Sequence, residues 1–411
     1  MSHDEGLSVS VRLGELESVE RQKDRSLGIT VYRGQRKGSA STNDFSERGM
    51  AAAVDKALSI ASFTTADPYS GLADPAALAT APPELDLYHA WPLEPDAAEA
   101  IALEAEQAAR DFDPRIENSE GATVSTGGGV RAYANSHGFV GSYASSSHSI
   151  SLSVVAASNG CLERDYSYTQ ARCPDDLDSA RTVGREAALR AVRRLDSRQI
   201  GTRVVPVLFT PELGRSLFGH FVAAIRGTAQ YRHASFLVGC AGQHVFPDWM
   251  QIVEDPHIPR GIGSAPFDGE GVATRRRTLV ADGIVEGYVL SSYSARRLNL
   301  ATTGNAGGVH NLIVEPNAVS LEELEADCRE AMVVTELLGQ GVNTVTGDYS
   351  RGAAGYWIEN GEVAYPVSEV TVAGNLSEML RSIAAVGADV DLRGTVRCGA
   401  VLVEGMTVAG Q

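Results

Sequence analysis

The side chains best able to hold a metal or act as nucleophiles here are nine histidines and five cysteines, and their spacing decides most cases. His220 falls in a run, Pro211 to Ile225, where Leu213, Leu217, Phe221 and Ile225 recur every four residues. On a helix it would point near Leu213, Leu217 and Ala224, with no His, Glu or Asp one turn away. That pattern reads as a core or interface histidine with one hydrogen bond rather than a ligand. His233, His244 and His257 lack ligand spacing and read as polar surface. His310 closes the run Thr303-Gly304-Asn305-Ala306-Gly307-Gly308-Val309-His310-Asn311. Such a loop can approach a peptide backbone closely; a simple tight turn is the alternative. Cys398 sits beside Gly399 in an apolar strand, where a cysteine is either an inert small hydrophobe or a reactive thiol. Tyr293 and Arg296 either line a groove or pack at a domain surface. A Walker A loop, a G-x-S-x-G elbow and an H-E-x-x-H pair are all missing from the sequence. Gly261-Ile262-Gly263 and Gly339-Gln340-Gly341 lack the third glycine of a dinucleotide fingerprint and read as turns.

The elements that must carry these residues are legible in outline. Val204 to Phe209 is apolar enough for a strand buried on both faces. Thr210 is placed as an N-cap, Pro211 as the first helical residue, Glu212 at the positive end of the dipole and Gly227 as the stop. Upstream, Leu7 to Arg21 and Leu27 to Arg33 read as strands. Glu47 to Phe63 reads as a helix with Met50, Val54, Ala57, Leu58 and Ala61 on its inner face. Thr64 to Pro83 is a long surface connection, and Pro95 to Phe112 and Asp176 to Asp196 are helices. Gly121 to Ala157 alternates as strands, with turns expected at Gly127-Gly128-Gly129 and near His137-Gly138. Downstream, Asp282-Gly283 and Asn360-Gly361 predict hairpins. Leu321 to Gly339 is expected as a helix behind a Ser320/Glu323 capping box, and Leu376 to Ala385 as another. The fold class is therefore α+β: an N-terminal sheet-and-helix domain over 1–198, then a mainly β domain, barrel-like or sandwich, over 199–411.

A net charge of −17 argues against a nucleic-acid binder. The one compact basic run, Arg275-Arg276-Arg277, reads as a solvated strand or turn. No segment approaches the run of about 20 apolar residues that crosses a membrane. The cysteines form no C-x-x-C pair, so a disulfide framework is not expected and a cytoplasmic setting fits.

Several pieces in order resemble the TldD/PmbA family, within it the PmbA (TldE) branch. They are Leu217-Phe218-Gly219-His220, Phe246-Pro247-Asp248-Trp249, Pro266-Phe267-Asp268-Gly269-Glu270-Gly271, Ser292-Tyr293-Ser294-Ala295-Arg296, the Thr303–Asn311 loop, and Cys398-Gly399 ahead of Ala409-Gly410-Gln411. The TldD branch resembles a zinc peptidase, with a His-Glu-x-x-x-His helix and a late cysteine. Aligned on Gly214 and Gly227, this chain has Phe218 and Ala223 in place of the histidines and Gly219 in place of the glutamate; Cys398 alone matches. The resemblance implies no catalytic residue and no metal in this chain, and zinc in a TldD-like partner. It implies a heterodimer, or a homodimer in isolation, whose cleft takes an unfolded peptide. Tyr293, Arg296, Asn305, Gly307, Gly308, His310 and Asn311 are the candidates to line that cleft. The alternatives are a homodimeric peptidase with an unorthodox metal site and a non-proteolytic modulator of DNA gyrase.

Overall fold

The computed structural model describes residues 1–318 and 320–410. Its first sheet is antiparallel, in the order β3-β2-β1-β4-β5-β6, and curls into a half-barrel. The strands are β1 (Ser2–Arg12), β2 (Glu15–Arg33), β3 (Arg36–Thr42), β4 (Ile116–Ala134), β5 (Val140–Ser158) and β6 (Cys161–Ala171). Alternation decides which face is covered. Leu7, Val9 and Val11 of β1, with Val124, Ile150, Leu152 and Val154, point one way and are buried. Onto that face pack the alanine-rich helices α2 (Pro95–Arg110) and α3 (Ala180–Arg193). A Cβ on Gly184 of α3 would lie 2.1 Å from the Ala105 carbonyl of α2, so only glycine permits this approach.

Three expectations for this half are corrected. The first predicted strand contains a hairpin turn, at Leu13-Gly14. The triple glycine makes no turn: β4 runs unbroken through Gly127–Gly129, pairing with Asp4, Glu5 and Gly6 on one side and Ser145–Ser147 on the other. Helix α1 (Glu47–Phe63) has the predicted bounds, but Ala53, Ala57 and Ala61 form its buried side while Met50, Val54 and Leu58 stay exposed. Gly38 of β3 approaches the backbone of Ala57 and Ala61 so closely that bulky residues must face outward.

The second half begins with β7 (Arg203–Phe209), α4 (Pro211–Ile225) and α5 (Gly227–Tyr231). Next come β8 (Ile252–Asp255), β9 (Arg277–Ala281), β10 (Ile284–Val285), α6 (Ser292–Leu298) and β11 (Asn311–Val314). The chain ends with α7 (Leu321–Asp327), β12 (Glu330–Leu338), β13 (Asp348–Glu359), β14 (Glu362–Asn375), α8 (Leu376–Arg381), β15 (Ile383–Val386), β16 (Val396–Arg397) and β17 (Val401–Ala409). β14-β13-β12-β7-β17 closes on itself through a β14–β17 pairing, forming a barrel with β15 appended. A smaller sheet, β10-β9-β8-β11-β16, lies across α4 from it. Leu217, Phe221 and Ile225 are fully buried there. Both Asp-Gly and Asn-Gly hairpins form.

The helix expected over Leu321 to Gly339 stops at Asp327, although its capping box is present. Ala331 to Val334 are fully buried because β12 pairs in parallel with β7 and antiparallel with β13. Two-sided burial in a sheet overrides the helical reading of an apolar run. The helix expected over Leu376 to Ala385 likewise ends at Arg381, and Ile383 starts β15. Among the described residues, no helix is long and apolar enough to cross a membrane.

Candidate functional site

A groove of about 560 Å³ opens where the end of the half-barrel meets the glycine-rich loop of the second half. Arg131, Tyr133 and Tyr143 line it from the sheet; Phe267, Gly307, Gly308 and His310 line it from the loops. The loop owes its shape to one buried carboxylate. Glu254, 1% exposed in the middle of β8, accepts from the His310 backbone N–H at 2.7 Å and from its Nδ1 at 3.0 Å. It also accepts from Asn305 Nδ2 at 2.7 Å and Arg277 Nε at 2.8 Å. Burial alone would raise the Glu254 pKa, but the His310 and Arg277 contacts overcome it and hold the carboxyl below its usual range. Arg277 is thus a half-buried partner whose guanidinium turns inward, and its other nitrogens bond Asn305 Oδ1 and the Tyr288 carbonyl.

A second carboxylate anchors the other side. Asp268 accepts from the backbone N–H groups of Glu270, Val272 and Ala306 at 2.8–2.9 Å, while burial pushes its pKa up. Gly307 and Gly308 have φ of 119° and 127°, and a Cβ on Gly308 would sit 2.8 Å from the Arg226 guanidinium. Both backbone conformations favour glycine. Asn311 is fully buried and bonds Asp255 O, Ser264 Oγ and the Gly263 N–H.

The predicted cleft residues therefore divide. Gly307, Gly308 and His310 face the groove, while Asn305 and Asn311 brace the loop from beneath. Tyr293 and Arg296 lie elsewhere, with their polar atoms engaged. The Tyr293 hydroxyl donates to Asp67 at 2.7 Å, and Arg296 donates to the Tyr69, Gly71 and Leu72 carbonyls at 2.7–3.0 Å. They clamp the long connection between the first and second helices. Glu254 and Arg226 were not singled out from the sequence, and Asp268 was noted only within the Pro266–Gly271 run. The available signal was slight: two acids, Glu254 and Asp255, follow Ile252-Val253 in the strand.

Helix α4 reaches the same region from behind. Thr210 precedes it with no side-chain cap bond, and its hydroxyl has no partner among the described residues. Gly214 packs against Val401 and the Gly399 carbonyl, which brings the helix alongside Cys398. Phe218 is fully buried and stacked on Phe246, with ring centroids 6.2 Å apart. Gly219 faces open space, and Ala223 is half-buried. The Cys398 thiol donates to the Gly399 carbonyl at 3.2 Å, and burial pushes its pKa far up, so it is a neutral thiol. His220 stands edge-on to Tyr349, and burial together with Arg351 lowers its pKa. Its Nε2 finds no partner among the described residues, so the single hydrogen bond expected there is missing at that atom.

Family models match nearly the whole chain: the PmbA/TldA metallopeptidase domain 1 over residues 1–61, the central domain over 88–195 and the C-terminal domain over 202–410. This chain belongs to the PmbA/TldD metallopeptidase family. It is 48% identical to "Metalloprotease PmbA" of Escherichia coli O157:H7, over 99% of this chain and 90% of the relative. It is 47% identical to "Metalloprotease PmbA homolog" of Haemophilus influenzae, covering 98% and 90%. A crystal structure described as a putative modulator of DNA gyrase, from Bacteroides thetaiotaomicron, superposes with a TM-score of 0.94 at 26% identity, covering 100% of this chain and 93% of that one. TldE from Thermococcus kodakarensis shares the fold, with a TM-score of 0.85 at 20% identity over 100% and 95% of the two chains.

The zinc that PmbA/TldD membership implies does not fit these residues. Phe218, Gly219 and Ala223 offer no donor atom, and Cys398 offers a neutral sulfur, where a catalytic zinc takes three protein ligands. Among the described residues, no three His, Cys, Asp or Glu side chains converge to hold a metal ion. The groove presents Arg131, His310 and the backbone of a glycine pair, which can bind and orient a chain.

Proposed function

We propose that this chain is the substrate-guiding subunit of a TldD/TldE-type peptidase, in which a TldD-like partner holds zinc and cuts unfolded peptides. The observation that carries the reading is local to α4. The helix stands beside Cys398 as the family's metal helix would, yet the ligand positions hold a core phenylalanine, a bare glycine and an alanine. Water cannot be ionised there, and no carboxylate at those positions remains to act as base. The groove beside Gly307 and Gly308 supports the guiding role, since a side-chain-free surface lets an extended main chain come close. In this scheme the chain binds and orients peptide while hydrolysis happens in the partner.

The test mixes this chain with a purified TldD-like chain and follows cleavage of an unfolded peptide. Cleavage by the mixture, and none by this chain alone, is expected. Cleavage by this chain alone, with bound zinc lost on Cys398→Ala, would replace the reading with a homodimeric enzyme. Recovery of gyrase in place of a TldD-like chain would favour a non-proteolytic role, in line with the words used for the Bacteroides structure.

A further inference from the structure

The groove at Gly307 and Gly308 does not end at the loop. A trough of about 550 Å³ meets it at Asp4 and continues over Gly129, Ser145 and Ser147. These side chains stand on the face of the half-barrel opposite α2 and α3. Strand register sets what meets at the junction. Arg131 of β4 lies directly opposite Tyr143 of β5, so the two share a face with Cβ atoms about 5 Å apart. Arg172, just past the end of β6, comes in from the other side of β5. Its Nη1 donates to the Ser146 carbonyl at 2.8 Å and its Nη2 to the Ile262 carbonyl at 2.7 Å. One carbonyl belongs to each half of the molecule, so this guanidinium is fixed before any ligand arrives.

In a chain of net charge −17, two neighbouring arginines have acids to choose from, yet neither forms an ion pair among the described residues. Burial lowers the Arg172 pKa, Tyr143 opposes that shift, and the like charge of Arg131 adds to it. The nearby carboxylates are committed elsewhere. Asp268 is taken by three backbone N–H groups, and Glu254 by Arg277, Asn305 and His310. Asp4 turns its carboxylate over Gly129, out of ion-pair reach of Arg131. The Arg172 Nε is shielded from solvent and has no acceptor among the described residues, which leaves its desolvation uncompensated. Tyr143, edge-on to Phe267 at 5.5 Å, adds a hydroxyl that is likewise unclaimed among the described residues. The result is a site for an anion that the protein does not itself supply.

We propose that Arg131, Arg172 and Tyr143 bind a carboxylate of the guided peptide, whose main chain lies along Gly307 and Gly308. This rests on the guiding role given above and adds what the groove selects: an extended chain bearing a carboxylate over the same chain without one. The planar fork of a guanidinium matches two carboxylate oxygens, and a phenol hydroxyl can donate to the same group. A C-terminus and an Asp or Glu side chain present identical oxygens, so either can supply the anion.

Binding to the full chain alone, read by fluorescence anisotropy, needs no catalysis. The probe is a rhodamine-labelled, unstructured Gly/Ser/Ala peptide in three forms: C-terminal acid, C-terminal amide, and amide with one internal glutamate. At low ionic strength at least one acidic form should bind about tenfold tighter than the plain amide, and which one does so identifies the source of the carboxylate. Arg131→Gln should erase most of that preference and leave the plain amide's affinity unchanged; the side chain is exposed, so the fold survives. Arg131→Lys should restore part of it, because the charge returns without the fork. Equal binding of all three forms, no saturable binding of any, or a preference untouched by Arg131→Gln would overturn the proposal. Cleavage in the mixing experiment without a carboxylate preference here would refute this inference alone. A carboxylate preference here without cleavage there would refute only the peptidase role.

Discussion

Replacing Glu254 should loosen the groove from beneath. Its two oxygens receive hydrogen bonds from Asn305, from Arg277 and twice from His310, and the carboxylate itself is buried. Glu254→Ala would strand the half-buried Arg277 guanidinium, and breaking a buried ion pair on one side costs about 3–5 kcal/mol, an upper bound here. Glu254→Gln keeps the shape but turns one acceptor into a donor facing donors, for roughly 1–3 kcal/mol. The same pair carries a pH signature. A carboxyl whose pKa is lower in the folded than in the unfolded chain adds stability above its unfolded value of about 4.3, and that stability is lost as pH falls through the folded value. The wild type should therefore lose this increment below about pH 4, whereas Glu254→Gln should lack that part of the acid dependence. Urea titrations between pH 3.5 and 7 measure the stability, and amide exchange reports on residues 303–311. If Glu254→Gln unfolds within about 0.5 kcal/mol of wild type and the loop amides stay equally protected, the carboxylate does not organise the loop.

Three further outcomes follow from the packing. Under native conditions at pH 8, the exposed Cys161 should be alkylated by iodoacetamide while Cys398 is not; mass spectrometry showing comparable rates would contradict a buried neutral thiol at Cys398. Ala57→Leu should destabilise by about 1–3 kcal/mol through overpacking against β3, whereas Leu58→Gln on the open side of α1 should change unfolding by under about 0.5 kcal/mol. Gly184→Ala should push α3 away from α2 and lower the melting temperature by several degrees, since about 1 kcal/mol shifts a large domain by roughly 2–4 °C; an unchanged melting curve would mean the two helices slide freely.

Local signals marked several boundaries, though not the strand through Gly127–Gly129. Thr210-Pro211 opens α4, Ser320 and Glu323 cap α7, and both two-residue hairpins form where Asp-Gly and Asn-Gly stand. What escaped was decided by partners distant in sequence. β12 looked helical because its burial comes from β7 and β13, more than a hundred residues upstream and some twenty downstream. The buried side of α1 is set by Gly38, which excludes the bulky residues that periodicity favoured. The glycine loop around His310 was visible, and so was its use of Asn and His. Its anchor was not, because pairing Glu254 with Arg277 and His310 needs three separated segments to meet. Tyr293 and Arg296 illustrate the limit of motif reading: their identity was apparent, but only the folded chain shows them gripping residues 67–72.

The β14–β17 seam has a consequence for biosynthesis. β17 lies between β7 and β14, so neither strand has its full complement of neighbours until Val401–Ala409 has been made. Until then two open strand borders wait, each able to recruit a neighbouring chain. Truncation ahead of Val401 should therefore yield material that clumps on expression rather than a shorter working protein.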